Sequence, residues 1–206
     1  FLNMTVKGWV WYQGENNAFK TNSHEYKGMF PVMIADWREH FGAQLPFYFV
    51  QLPNFAKEGD GFWDYPTVRD AQLHAYKTVP HTGMAITYDV GKVDDIHPPN
   101  KIDVGERLAR WALARTYGLD VVESGPIVEQ VVFGTDGRIL ITFDTFGSDL
   151  RIRGEALQGF DVAGADGVFH AASAELTKGN TVVVTARDPR EVRFAWRNDP
   201  KDANLV

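Results

Sequence analysis

The apolar run Met84-Ala85-Ile86-Thr87-Tyr88 leads through Val90-Gly91-Lys92-Val93-Asp94-Asp95-Ile96-His97-Pro98-Pro99-Asn100-Lys101 into a helical pattern that starts near Ile102. A strand, a loop and a helix in that order make one α/β unit. Its loop carries a carboxylate and an imidazole three residues apart. An Asp that accepts a hydrogen bond from one ring nitrogen of a His fixes the tautomer, and the other nitrogen can then take a proton from a hydroxyl nucleophile. Asp94 has the spacing to turn back onto the ring of His97, and Asp95 would point away. Asp89 also lies near, so the register of the pair stays open.

Two similar units precede this one. Val6–Tyr12 reads as a strand of β-branched and aromatic residues, and ends in the polar turn Gln13-Gly14-Glu15-Asn16-Asn17. From His24 to Phe41 the apolar positions Tyr26, Met29, Phe30, Met33, Ile34 and Trp37 recur at helical spacing, with Gly42 where a stop is expected. Pro46–Leu52 is a second strand, apolar throughout. The loop Pro53–Tyr65 is rich in Gly, Asp and aromatics. Pro66–Val79 reads as a helix with Val68, Ala71, Gln72 and Ala75 on one side. Gly83–Asp89 is the third strand. Lys101–Tyr117 is the third helix, with Ile102, Gly105, Leu108, Ala109, Ala112 and Leu113 expected inward.

Three successive strand–helix units imply a parallel sheet with flanking helices, because right-handed crossovers lay helices on its faces. Gln13, Asn17, Gln51, Asp94 and His97 fall at strand ends, where open α/β sheets carry their sites. Side-chain amides at the first turn can donate to an oxyanion, and Gly14 permits close backbone approach. The same turn also reads as a plain polar turn with Glu15 capping the next helix.

After Gly118 the character changes. Ile127–Phe133, Ile139–Phe143, Gly159–Ala163, Thr181–Thr185 and Val192–Trp196 read as short strands, separated by Thr135-Asp136-Gly137, Asp166-Gly167 and Lys178-Gly179-Asn180. The expected organisation is an α/β domain over residues 1–118 and a β-sandwich module over 119–206. A three-stranded parallel sheet is thin, and the chain opens Phe1-Leu2-Asn3-Met4 without an initiator Met. It therefore reads as a piece of something longer.

The bulk numbers exclude several classes. Of the 206 residues, 44% are hydrophobic and 23% charged, the balance of a globular protein. A formal charge of −6 argues against nucleic acid or an anionic membrane as partner. No apolar run reaches the roughly 20 residues of a membrane helix. Without cysteine there are no disulfides and no thiolate chemistry. His24, His40, His74, His81 and His170 are scattered, without the helical pairing of zinc hydrolases, so no metal is expected. Among Ser23, Ser124, Ser148 and Ser173, none sits on a sharp turn after a parallel strand, where a hydrolase nucleophile belongs.

Together these motifs resemble a known family. Val10-Trp11-Tyr12-Gln13-Gly14-Glu15-Asn16-Asn17-Ala18 resembles the Trp-Tyr-Gln-Gly-Glu-x-Asn signature of sialate O-acetylesterases, a branch of the SGNH (GDSL-like) hydrolases with a flavodoxin-like parallel sheet. Ile34-Ala35-Asp36-Trp37-Arg38 and Pro46–Leu52 resemble the family's next helix and strand. Asp94–Lys101 followed by Val104-Gly105-Glu106-Arg107-Leu108-Ala109 resembles its Asp-x-x-His block, and Val192–Trp196 a segment of its C-terminal β region.

The resemblance implies a carbohydrate O-acetylesterase that needs no cofactor. It implies His97 as general base and Asp94 as its orienter. Gln13 would be an oxyanion donor, with Asn17 as the alternative amide, and Glu15 a buried acceptor bracing their turn. The family's nucleophilic Ser, in a Gly-Gln-Ser-Asn-like motif, has no counterpart in this chain. A separate N-terminal polypeptide or segment is thus expected to supply it. Arg69 is a candidate partner for a sialate carboxylate, or else a helix-surface residue, and Trp63 a candidate sugar contact. By resemblance the location would be extracytoplasmic: periplasmic, secreted or lysosomal. The rival functions are an acetylxylan esterase, and a non-catalytic glycan-binding fragment in which Phe55, Phe62, Trp63 and Tyr65 stack on sugar rings.

Overall fold

A computed structural model of the chain describes residues 4–56 and 61–206. The first three residues, and residues 57–60 of the expected aromatic loop, lie outside the described residues. The chain forms two compact units, Phe1–Glu123 and Ser124–Val206. The division falls after Glu123, not after residue 118, because the segment past Gly118 is tied back to the first unit. Leu119 N–H donates to Leu113 O, Arg110 to Val122 O, and Arg115 pairs with Glu123 at 2.5 Å.

The first unit holds a parallel sheet of order β1-β2-β3, built from β1 (Trp9–Trp11), β2 (Phe47–Val50) and β3 (Thr82–Ala85). Trp9 pairs with Phe47, which pairs with Thr82; two residues on, Trp11, Phe49 and Met84 form the matching row. All of β2 is buried, as a central strand covered on both faces must be. β1 is shorter than the apolar run that announces it. Gly8, at φ 158°, precedes the strand at a point where a Cβ would meet Pro46 O at 2.7 Å.

Helix α1 (Tyr26–Phe41) buries Tyr26, Phe30, Ile34 and Arg38, a single stripe of four-residue steps. Phe30 meets Phe49 edge-on at 4.9 Å, and Trp37 packs against Trp9, Trp11 and Phe47. Gly42 ends the helix in the left-handed conformation at φ 63°, its N–H satisfying carbonyls of the last turn. Helix α2 (Tyr65–Thr78) starts with Pro66 in its first turn and buries Val68, Arg69, Ala71, Gln72 and Ala75.

Helix α3 (Ile102–Trp111) sits differently from its sequence expectation. Ile102 is 75% exposed, Gly105 and Ala109 face outward, and the buried residues are Val104 and Trp111. Two anchors set this rotation. The indole of Trp111 lies against Gly83, where a Cβ would be 2.6 Å from the ring, and its Nε1 donates to Met84 O at 3.0 Å. Arg107 donates to Ile86 O and grips Asp89 with both terminal nitrogens. The helix does not run on regularly to Tyr117. It widens into a π turn at Ala112–Thr116, with Tyr117 N–H reaching Ala112 O.

The second unit contains two antiparallel sheets. One has the order β4-β5-β9-β8, from Ile127–Phe133, Arg138–Asp144, Thr181–Thr185 and Ser173–Thr177. The other has the order β10-β6-β7, from Glu191–Phe194, Phe160–Ala163 and Phe169–Ala171. Ile139, Ile141, Val182 and Val184 of the first sheet share one core with Phe160 and Val162 of the second. This is the sandwich that the alternating strands imply. Strands β7 and β8 carry too few apolar residues to be read from sequence. They are supported by pairing with β6 and β9.

Candidate functional site

The polar strand ends gather at the C-terminal edge of the parallel sheet. After β1 the chain turns sharply at Gly14, whose φ of 149° and close approach to Leu52 leave little room for a side chain. The Glu15–Asn17 residues form one 3-10 turn, closed by Asn17 N–H to Gly14 O and Ala18 N–H to Glu15 O. Within it Gln13 Nε2 donates to Asn17 Oδ1 at 2.7 Å, and Gln13 Oε1 accepts from Tyr26 OH at 3.2 Å. The two amides named as oxyanion donors are therefore neighbours. Among the described residues, one N–H of Gln13 and both N–H groups of Asn17 donate no hydrogen bond.

A residue that the sequence shows only as part of a helix face holds this turn. Gln72 of α2 is fully buried. Its Oε1 accepts from Leu52 N–H at 2.9 Å, and its Nε2 donates to Val50 O at 3.0 Å and to Gln13 O at 3.4 Å. One side chain thus joins the ends of β1 and β2. The available signal was a glutamine inside the apolar stripe of a helix. Nearby, Gln51 Nε2 donates to Arg69 O and Thr87 Oγ1 to Gln51 O, which links β2 to the segment after β3.

Glu15 is half-buried rather than buried. Its carboxylate acts electrostatically: burial, reinforced by Glu15, pushes the phenols of Tyr12 and Tyr26 up to about 12 and that of Tyr65 higher still. The turn itself is braced by backbone bonds and by the Gln13–Asn17 pair.

The loop that carries His97 leaves β3 and passes close to the segment after β2. Gly91 packs where a Cβ would lie 2.5 Å from both Asn54 O and Asn54 Oδ1, and Ala56 N–H donates to Val93 O at 2.8 Å. The structure does not bring Asp94 onto the His97 ring. Asp94 is 67% exposed at its side chain and faces Lys92 Nζ at 3.4 Å. Asp95, expected to point away, turns inward along the chain, and its Oδ1 accepts from the His97 backbone N–H at 2.9 Å. This Asx-type bond competes for the carboxylate and shapes the loop. The His97 side chain is exposed and carries no hydrogen bond among the described residues. Beyond it, Asn100 closes the first turn of α3 through Asp103, and Lys101 Nζ lies 4.7 Å over the ring of Tyr12.

Arg69 is 5% exposed, which removes the helix-surface reading and buries the candidate carboxylate ligand. Trp63 is half-buried and stacks on Phe19 at 4.4 Å, with Phe55 and Tyr65 packed around it. One face of its ring is therefore occupied by protein. Phe62, beside it, is exposed. A cavity of about 540 Å³, lined by Pro46, Tyr48, Tyr76, His81, Trp111 and Arg115, lies at the opposite end of the sheet, where β2 and β3 begin. Among the described residues no group of three or more His, Asp or Glu side chains could hold a metal ion, and no helix is long and apolar enough to cross a membrane.

Comparison with known proteins identifies the family. The family model for carbohydrate esterases described as sialic acid-specific acetylesterases matches residues 1–114. Sialate O-acetylesterase of Mus musculus is 35% identical over 161 residues, covering 69% of this chain and 30% of that protein. The Homo sapiens protein of that name is 36% identical over 147 residues, covering 63% and 28%. A crystal structure described as a novel carbohydrate acetylesterase from Xanthomonas citri superposes with a TM-score of 0.91 at 40% identity, over 100% of this chain and 48% of that one. The chain thus spans about a third of the curated relatives and about half of the solved structure.

Proposed function

We propose a function for a chain that belongs to the family of sialic acid-specific carbohydrate acetylesterases: it contributes the general base and the oxyanion-binding amides of an enzyme that removes acetyl groups from sugar hydroxyls. The nucleophile is a Ser on a segment or polypeptide outside this chain. His97 takes the proton from the Ser Oγ as the oxygen bonds to the acetyl carbonyl carbon. The negative oxygen of the tetrahedral intermediate is met by N–H groups of Gln13 and Asn17, each such donor contributing on the order of 3 kcal/mol. Collapse breaks the bond to the sugar oxygen, which leaves with the proton held by His97. Water, deprotonated by His97, then attacks the acyl-serine and releases acetate.

Asp94 is the orienter. Among the described residues its one ion pair is the exposed contact with Lys92, and such pairs contribute little. The observation that carries the reading is the meeting of loop and turn. Lys101, four residues after His97, lies over the ring of Tyr12, the residue before Gln13. Base and amides therefore share one end of the sheet, the end where α/β folds do chemistry.

The buried Arg69 favours a second reading of the substrate, a neutral acetylated sugar such as acetylated xylan, over an acetylated sialic acid held by that guanidinium. The test uses the chain assembled with its serine-bearing segment. His97→Ala is expected to lower turnover by several orders of magnitude while His74→Ala does not, and equal losses would remove the assignment. Relative rates on O-acetylated sialic acid and acetylated xylan decide the substrate. Glycan binding without ester hydrolysis in the assembled protein would support a binding fragment instead.

A further inference from the structure

We infer that Lys101 is a positioning residue for His97, acting through the face of Tyr12; the inference rests on the acetylesterase reading above. Lys101 Nζ lies 4.7 Å from the Tyr12 ring centroid, inside the distance at which a cation is drawn to an aromatic quadrupole. Lys101 is exposed and makes no ion pair with a carboxylate among the described residues. The Tyr12 hydroxyl is buried and also without a hydrogen-bond partner among the described residues. Its ring face is therefore the part of the side chain that makes a specific contact with the loop.

The two residues occupy decisive places in the chain. Tyr12 follows β1 and precedes Gln13, whose amide faces Asn17. Lys101 ends the loop that carries His97, and the link between them is stiff. Pro98 and Pro99 restrict the backbone, and Lys101 N–H is bonded back to Pro99 O at 2.9 Å. A shift of Lys101 is thus passed to His97. The other contacts of the loop hold it elsewhere: Lys92 pairs with Asp94 and Asp95 within the loop, and Val93 O meets Ala56 beyond β2. Among the described residues, the Lys101–Tyr12 contact is the one that ties the loop to the end of β1. It sets the separation between the proton acceptor and the oxyanion donors.

The test combines hydrogen exchange of a peptide spanning residues 94–101 with steady-state kinetics, in the chain assembled with its serine-bearing segment. Lys101→Met keeps the stem and removes the charge; Tyr12→Leu removes the ring. Each is expected to speed exchange of the loop about threefold, the worth of an exposed cation–π contact. Each also lowers kcat about tenfold with KM within about twofold, as misplacement of a catalytic group does. The double variant should lose no more than either single one. Lys101→Arg and Tyr12→Phe should both behave as the parent, because a guanidinium and a phenyl ring keep the contact. Unchanged exchange in Lys101→Met, additive losses in the double variant, or no rescue by Lys101→Arg would overturn the inference. If the parent protein shows no esterase activity, the acetylesterase reading falls. The exchange measurements then still decide whether the contact fixes the loop.

Discussion

The fully buried amide of Gln72 donates to the main-chain carbonyl of Gln13, the residue whose own side chain faces the candidate oxyanion site. The same amide bonds Val50 O and Leu52 N–H. The position of this candidate site turn is thereby tied to the end of the central strand through one helix side chain. Such a tie matters more than its count of bonds, since the groups it satisfies are out of reach of water.

Gln72→Leu keeps the volume and removes all three partners. Val50 O at the end of β2 and Leu52 N–H just beyond it then lose a hydrogen bond, at about 1–3 kcal/mol for each that finds no replacement. The expected outcome is a loss of about 2–4 kcal/mol in urea unfolding with an unchanged m-value, together with a fall in kcat as Gln13 is released. Unchanged stability would mean that the strand ends are held by other contacts.

Gly91→Ala probes the loop that carries His97 without touching a charged group. The new Cβ would lie 2.5 Å from Asn54 O and 2.8 Å from Pro53 Cβ. These are main-chain and ring atoms that cannot swing aside, so the loop must lift from the segment after β2. Overpacking of this kind costs about 1–3 kcal/mol. Turnover is expected to drop at least tenfold, since small displacements of catalytic groups have that effect. Gly105→Ala on the outer face of α3 meets nothing within 4 Å, and is expected to keep full activity and stability.

Much of this was legible in the sequence, and the exceptions have physical causes. The three α/β units and the polar strand ends follow from local patterns: an apolar run, a turn, a helical stripe. Periodicity alone points to the wrong inward face of α3, because it weighs Ile102 and Leu113 by hydrophobicity. The true face is set by two long-range anchors, Trp111 on Gly83 and Arg107 on Asp89. The roles of Gln72 and Lys101 are likewise tertiary. Each acts on residues roughly 20 to 90 positions away, and no local pattern encodes such a pairing. Asp95 turns inward, against the expectation, because an Asx bond to the His97 N–H is available to the carboxylate two residues before it, while Asp94 lies against Lys92.

Tyr26 gives the first unit an alkaline weakness. Its phenol, buried and near Glu15, is pushed up to about 12 from the ordinary value of 10.0. The folded state therefore prefers the neutral phenol. Its contribution is intact below pH 10, where folded and unfolded chains are both protonated. It is lost as pH rises from 10 toward 12, where the unfolded chain ionises first, and the loss reaches about 2 kcal/mol. Tyr26→Phe should flatten the fall of stability over that interval, read as urea midpoints at pH 9 and pH 11. An equally steep fall in the variant would place the weakness elsewhere.

The two aspartates before His97 separate cleanly by substitution. Asp95 accepts one backbone N–H, and an amide oxygen can do the same. Asp95→Asn should therefore keep the loop and most of the activity, whereas Asp95→Ala removes the bond and loosens the loop. If Asp94 swings onto the ring in catalysis, Asp94→Asn replaces an obligate acceptor by a group that can also donate. The wrong His97 tautomer is then stabilised, with a loss in kcat of up to about 10⁴-fold. Breaking the exposed Lys92–Asp94 pair by Lys92→Met frees Asp94 to reach His97, and kcat is expected to hold or rise slightly. Steady-state kinetics of the four variants decide the matter. A crippled Asp95→Asn beside an active Asp94→Asn would transfer the orienting role to Asp95, and the loop would have to open its Asx bond before each turnover.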